Sequence, residues 1–213
     1  VNTQSEIESQ KQEKIIQEVA RIFMIYGVKS VTMDDIAKQL HISKKTLYLY
    51  VKDKSDLVRK CVTTVMCKEE CDIDSIVDKN LNAIDENLEI SQYVIEQIQQ
   101  VHPSIFYDLQ KYHPESWELL QESRQGKTGE VIYNNIDKGI REGYFRADIH
   151  VEIATRLWLL RLNAIFQPQL FPIHEFELAE VYRQMFMHQI RGLATKKGLK
   201  YLDDRIETKL KTK

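Results

Sequence analysis

An all-α fold, with an N-terminal three-helix head of the helix-turn-helix type and a helical-bundle body behind it, is predicted by three observations. Apolar residues recur at i, i+3, i+4 and i+7 along most of the chain, while the alternation expected of strands is scarce. Only 7 Gly and 4 Pro interrupt 213 residues. Between Thr32 and Leu57 the sequence T-M-D-D-I-A-K-Q-L-H-I-S-K-K-T-L-Y-L-Y-V-K-D-K-S-D-L sets two short helices about a tight turn.

The head follows element by element. Residues 6–26 carry Ile15, Ile16, Val19, Ala20, Ile22 and Phe23 among charged and amide side chains, which is an amphipathic helix, and Gly27 stands where a left-handed residue would end it. Thr32 can cap the next helix, with Asp34 and Asp35 in its positive first turn. That helix, residues 33–40, turns Ile36, Ala37 and Leu40 inward, and the small Ala37 lets its neighbour cross closely. His41 and Ile42 make the turn. Ser43 caps a second helix predicted to run to about residue 50, with Leu47 as inward anchor and Lys44, Lys45, Thr46, Tyr48 and Tyr50 on its outer surface. Residues 51–53 connect to a long helix that opens at Lys54 and reaches the seventies.

The body is helical with few breaks. Residues 74–101 read as helix with an interruption near 86–91, and Pro103 and Pro114 each mark a helix start. A longer helix is expected from Glu115 toward Arg141, loosened at Gly126 and Gly129 and ended by Gly143. Residues 151–166 and 176–194 are apolar on most sides, so each needs burial on two faces; two adjacent helices of that kind favour a homodimer interface. The charged tail reads as a small helix with a frayed end. The expected division is residues 1–54 for the DNA-binding head and 55–213 for an effector-binding and dimerisation domain.

Charge agrees with that division. The net charge is −2, yet residues 29–60 hold Lys29, Lys38, Lys44, Lys45, Lys52, Lys54, Arg59 and Lys60 against Asp34, Asp35, Asp53 and Asp56. One basic end on an acidic chain is expected where that end meets phosphate. No stretch approaches the roughly 20 apolar residues of a membrane span, and the first residues lack the basic-then-apolar pattern of a signal peptide, so the expected location is the cytoplasm. Cys61, Cys67 and Cys71 fall in one predicted helix and read as packing residues, not as a disulfide framework. His102, His113, His174 and His188 are scattered without metal-ligand spacing. The expectation is neither a metal nor a cofactor, and no enzyme: a nucleophile–base pair and a glycine-rich phosphate loop are both missing. A sequence-tolerant architectural DNA binder using the same head is the competing reading.

The head resembles the tetracycline-repressor (TetR) family of bacterial transcription regulators. The resemblance rests on T-x-x-x-I-A-x-x-L from Thr32 to Leu40 and on I-S-K-K-T-L-Y-L-Y-V-K-D-K-S-D-L from Ile42 to Leu57, in order and without gaps. Two departures stand out: Leu49 and Tyr50 replace positions where members often carry His, Trp or a second aromatic, and Asp34 and Asp35 stand near positions where some members place a basic phosphate contact. The resemblance implies a homodimer whose heads bind a palindromic operator in double-stranded DNA and whose body binds a small-molecule effector that releases it. On the family pattern Tyr48 contacts the DNA backbone, and Lys54 brings its charge and a helix N-terminus to a phosphate. Lys45 is assigned a base and Lys44 a phosphate, Thr46 a phosphate or a thymine methyl, Tyr50 a phosphate or the core, and Thr32 and Ser43 complete the DNA-facing set.

Effector contacts are less legible. Phe106, Tyr107, Tyr112, Trp117, Tyr133 and Trp158 are the aromatic candidates for lining a pocket, with Glu96, Arg124 and Asn134 as polar candidates. Aromatics at helical spacing are ordinarily core residues, so this set rests on residue type alone.

Overall fold

A computed structural model describes residues 2–211, with side chains described for residues 6–207. The helices are α1 (Asn2–Tyr26), α2 (Met33–Gln39), α3 (Lys44–Leu47), α4 (Lys54–Val77), α5 (Ala83–Gln100), α6 (Ile105–Tyr112), α7 (Pro114–Ser123), α8 (Gly129–Arg141), α9 (Val151–Ala164), α10 (Leu178–Leu193) and α11 (Lys196–Lys211), with a π-helical turn (Arg124–Thr128) between α7 and α8. Among the described residues the only pairing of extended backbone is an isolated antiparallel bridge between Phe145 and Ala194. The fold is all-α.

The chain forms two compact units. The first holds residues 1–71 and 100–123, the second residues 72–99 and 124–213. In the first, the apolar stripe of α1 (Ile15, Ile16, Val19, Ala20, Ile22, Phe23) meets Ile36 and Ala37 of α2, Leu47 of α3, and Leu57, Val58 and Cys61 of α4. Leu109 of α6 is buried in the same cluster, and Ile105 and Trp117 pack against it. The compact unit that contains the head extends past residue 54. The long α1 and the two short helices after it leave apolar surface uncovered, and α4 and α6 supply the missing walls.

Gly27 is required at this junction for two reasons. Its φ of +80° is the left-handed conformation that ends α1, and a Cβ there would stand 2.8 Å from Ser104 Oγ. The segment before α6 is fastened at the same place, where the His102 N–H donates to the Met24 carbonyl at 2.6 Å.

The second unit corrects two expectations. The interruption lies at residues 78–82, ahead of 86–91. Asn80 takes a positive φ of 52° after α4, and the Asn82 side chain accepts from the Ile84 and Asp85 N–H groups at 3.1 Å each, so two asparagines stop one helix and start the next. Residues 86–91 instead lie inside α5, and Glu86 and Asn87 are buried in a polar network with α8: Asn135 donates to Glu86 at 2.7 Å, Lys138 to Glu86 at 2.8 Å, and Asn87 to Asn135. The tail is a sixteen-residue helix, α11, held by the Arg205 guanidinium fork on Asp85 (2.7 Å to each oxygen) and by fully buried Leu202. One apolar face of α9 stays open in the single chain. Thr155 and Trp158 face inward, while Ile153, Leu157 and Leu160 are 54%, 48% and 65% exposed.

Candidate nucleic-acid interface

The α2–α3 pair is built by local chemistry. Thr32 caps α2 through a capping box: its Oγ1 accepts from the Asp35 N–H at 3.2 Å, and the Asp35 carboxylate accepts from the Thr32 N–H at 2.9 Å. The Thr32 hydroxyl also donates to Asp35 at 2.6 Å. Those bonds hold the Asp35 carboxyl below its ordinary value. A phosphate contact from Thr32 would have to draw that proton away from Asp35.

After Leu40, His41 makes the turn with a φ of 54°. Ser43 then caps α3, its Oγ accepting from the Thr46 N–H at 2.9 Å and bonding the Thr46 hydroxyl at 2.8 Å. Leu47 has no exposed surface. The α-helical part of α3 is one turn, shorter than the expected run to residue 50, because the chain tightens into i→i+3 bonds: Leu49 N–H to Thr46 and Tyr50 N–H to Leu47. This tightening delivers Val51 to the core.

The residues assigned to DNA are distributed as follows. Lys45 is exposed, and Tyr48 is 43% exposed at the end of α3. Lys44 is exposed and pairs with Asp34 at 3.0 Å, a contact between two solvated side chains that a phosphate can replace at little cost. That pair gives Asp34 a local role despite its sign. Thr46 is half-buried, with its hydroxyl engaged by Ser43. Tyr50 packs on the head's core, the second of its two expected places, and its carbonyl accepts from Lys60 at 2.6 Å. Lys54 departs most from expectation. Its ammonium donates to the Val31 carbonyl at 2.6 Å and stands 3.5 Å from the Lys29 carbonyl, and burial lowers its pKa. It fastens the α1–α2 loop and keeps only part of its donor capacity for a phosphate.

Sequence reasoning missed the other half of that fastening. Asp108 of α6 is buried and accepts from the Lys29 N–H at 2.9 Å and from the Ser104 hydroxyl at 3.2 Å. His113 is also buried, with Nδ1 at 3.3 Å from Ser55 Oγ; burial first and the Lys54 charge second push its pKa down, which favours the neutral ring. Residues 29 and 108 lie too far apart in sequence for any local pattern to pair them.

The aromatic candidates for an effector site do not share one unit. Phe106, Tyr107, Tyr112 and Trp117 belong to the first, Tyr133 and Trp158 to the second. Tyr107, Tyr112 and Tyr133 are 42%, 38% and 41% exposed, whereas Trp158 is buried against Phe186. Of the polar candidates, Glu96 and Asn134 are exposed, and Arg124 lies over the Phe166 ring at 4.3 Å. A shallow groove of about 300 Å³ runs along α9 and α10, with Arg146, Ile153, Leu157, Arg161 and His188 in its lining and none of the predicted aromatics. Cys61 is buried, which pushes its thiol up to about 12, while Cys67 and Cys71 are exposed. Among the described residues no group of His, Cys, Asp and Glu is arranged to hold a metal ion, and no helix is long and apolar enough to cross a membrane.

Comparison with known proteins follows the same division. Residues 15–61 match the family model of bacterial regulatory proteins of the tetR family. An uncharacterized HTH-type transcriptional regulator of Bacillus subtilis, YvaF, is 22% identical over 170 residues, spanning 79% of this chain and 87% of its own length. A TetR-family transcriptional regulator from Agrobacterium tumefaciens superposes with a TM-score of 0.68 at 16% identity, covering 87% of this chain and 99% of that one. A transcriptional regulator from Saccharomonospora viridis, in complex with choline, does so with a TM-score of 0.71 at 13% identity over 88% of this chain and all of the other.

Proposed function

We propose that this chain, which belongs to the tetR family of bacterial regulatory proteins, is a homodimeric transcriptional repressor that binds a palindromic operator and is released by a small molecule. The observation that carries the reading is the seating of α3: Leu47 is sealed in the core while Lys45 and Tyr48 stand outward on a helix whose N-terminus is fixed by Ser43. A helix held in that way offers its first turn to base edges and its flanks to phosphates. Lys45 reads a base, and Lys44, Tyr48 and the remaining capacity of Lys54 position the backbone.

The exposed apolar face of α9 supports dimerisation through α9 and α10. Ile153, Leu157 and Leu160 form a contiguous stripe that water covers in the single chain, and pairing with a second copy would bury it. Two recognition helices then enter successive major grooves about 34–36 Å apart. An effector that favours a differently spaced dimer opposes DNA binding by linkage.

Selection of bound duplexes from a random pool, followed by footprinting of the winner, tests the reading. The expected result is a two-fold symmetric protected site bound at least about 10³-fold more tightly than unrelated DNA at the same salt. Equal affinity for all sequences would favour the architectural binder; no affinity for any duplex would end the proposal.

A further inference from the structure

Two of the tyrosines expected in a ligand pocket stand instead on an open cationic ledge of the first unit. Tyr107 lies in the first turn of α6 and Tyr112 ends it, and both rings are exposed. Lys111, between them in sequence, donates to the Tyr107 hydroxyl at 2.9 Å, with its ammonium 5.3 Å from that ring's centre and 5.5 Å from the Tyr112 ring's. Lys29, from the loop between α1 and α2, brings a second ammonium to 5.0 Å over the Tyr112 ring. Two exposed lysines from distant parts of the sequence thus converge on one tyrosine.

The chemistry of the ledge is one-sided. The Lys111 ammonium is met by the Tyr107 oxygen, which accepts a hydrogen bond and leaves that phenol's own O–H to donate outward, while the Lys29 ammonium lies over the Tyr112 ring. The nearby carboxylate, Asp108, is buried behind the ledge and occupied by the Lys29 N–H and the Ser104 hydroxyl. What faces solvent is therefore a set of donors carrying positive charge, which suits an anion. The chain also ties the ledge to the starts of α2 and α4. Lys29 lies three residues ahead of Thr32, the cap of α2, and its carbonyl stands 3.5 Å from the Lys54 ammonium at the start of α4.

We propose that Lys29, Lys111, Tyr107 and Tyr112 form an additional phosphate-contact point that takes the DNA backbone flanking the half-site read by α3. The proposal rests on the DNA-binding reading above. A sugar–phosphate backbone fits better than a small free anion, because the donors are spread over an open surface formed by a loop and a helix end, with no enclosing wall. DNA offers a charge every ~1.7 Å along such a surface.

The test compares wild type, Lys29→Ala, Lys111→Ala, the double variant and Lys111→Arg on the selected operator and on unrelated duplex, from low to moderate salt. Each alanine is expected to reduce the slope of log affinity against log salt by about 0.9, the signature of one lost phosphate contact. That loss lessens the fall in affinity over a fourfold rise in salt by about 3- to 4-fold per lysine. The reduction should be the same on both duplexes, with Lys111→Arg restoring the slope and thermal melting unchanged. Slopes equal to wild type in folded alanine variants would overturn the ledge while leaving the α3 reading intact, as would an unaltered slope in the double variant alongside a Lys45→Ala variant that relaxes base preference. A wild-type chain that binds no duplex would overturn both. A loss confined to melting temperature would assign the lysines to bracing α6 and remove them from DNA.

Discussion

Removing the Asp108 carboxylate should loosen the head through the Lys29 backbone while leaving every side chain assigned to DNA in place. Asp108 is 4% exposed, and one of its oxygens accepts the Lys29 N–H at 2.9 Å and the Ser104 hydroxyl at 3.2 Å. Hydrogen bonds to a charged acceptor are worth about 1.5–3 kcal/mol each, and a buried N–H left without an acceptor costs about 1–3 kcal/mol. Against this, truncation relieves the desolvation of a buried carboxylate. Asp108→Ala is therefore expected to destabilise the first unit by about 2 kcal/mol. Asp108→Asn keeps an acceptor oxygen in the same place and should recover at least half of that. The two tryptophans make the measurement local, since Trp117 reports on the first unit and Trp158 on the second. In a Trp158→Phe background, urea unfolding followed by Trp117 fluorescence should show the midpoint order wild type, Asn, Ala. Because Lys29 leads into the Thr32 cap, operator affinity should fall in the same order. An alanine variant as stable as wild type, or asparagine no better than alanine, would refute the account of Asp108 as the acceptor that fastens this loop.

Lys45→Ala is expected to relax preference at one base pair per half-site, worth about 1–3 kcal/mol of discrimination, whereas Tyr48→Phe should weaken binding to all duplexes alike; affinity measured on a panel of single-base operator variants separates the two. Leu47→Ala empties a fully buried site and should cost about 3 kcal/mol of head stability in the same urea assay. Asp56 supplies the pH dependence. Burial raises its pKa, but the Lys52 N–H, Lys60 and Arg59 outweigh burial and leave it at about 2. A depressed carboxylate stabilises fully above its unfolded value near 3.8 and loses that contribution as pH falls through about 2. Asp56→Asn should accordingly flatten stability against pH between about 4 and 2, removing about 1–2 kcal/mol of acid sensitivity.

The head was legible in the sequence because its determinants are local. A capping residue such as Thr32 or Ser43 acts within three residues, Gly27 acts on its own backbone, and the inward set of Ile36, Ala37 and Leu47 follows from helical period. The body was legible as helices but less so at their joints. Asn80 and Asn82 carried the stop and start between α4 and α5, yet asparagine is a weaker mark than proline or glycine, and the polar pair Glu86 and Asn87 that opens residues 86–91 passed for the break. That pair is polar because it is bonded to Asn135 and Lys138, some 50 residues on. The same limit explains Tyr107 and Tyr112. Their spacing suits a pocket as well as a surface, and only Lys29, brought up by the fold, distinguishes the two.

The first compact unit extends past residue 54 for a reason that a fragment can expose. The single α-helical turn of α3 has no stability of its own, since isolated helices below about 12 residues are marginal in water. What holds α3 is Leu47 in a core that also contains Leu57, Val58 and Cys61 of α4 and Leu109 of α6. Burial of one such side chain contributes about 1.5–3 kcal/mol, so losing those beyond residue 54 removes about 6–12 kcal/mol. A folded domain of that length has only about 3–8 kcal/mol in total, at about 0.05–0.15 kcal/mol per residue. A fragment ending at residue 54 should therefore lack a cooperative thermal transition in far-UV circular dichroism and bind no operator, although it contains every residue assigned to α3. A cooperative melt and specific binding by that fragment would mean that α1 to α3 form a self-sufficient core, and that α4 and α6 merely rest against it.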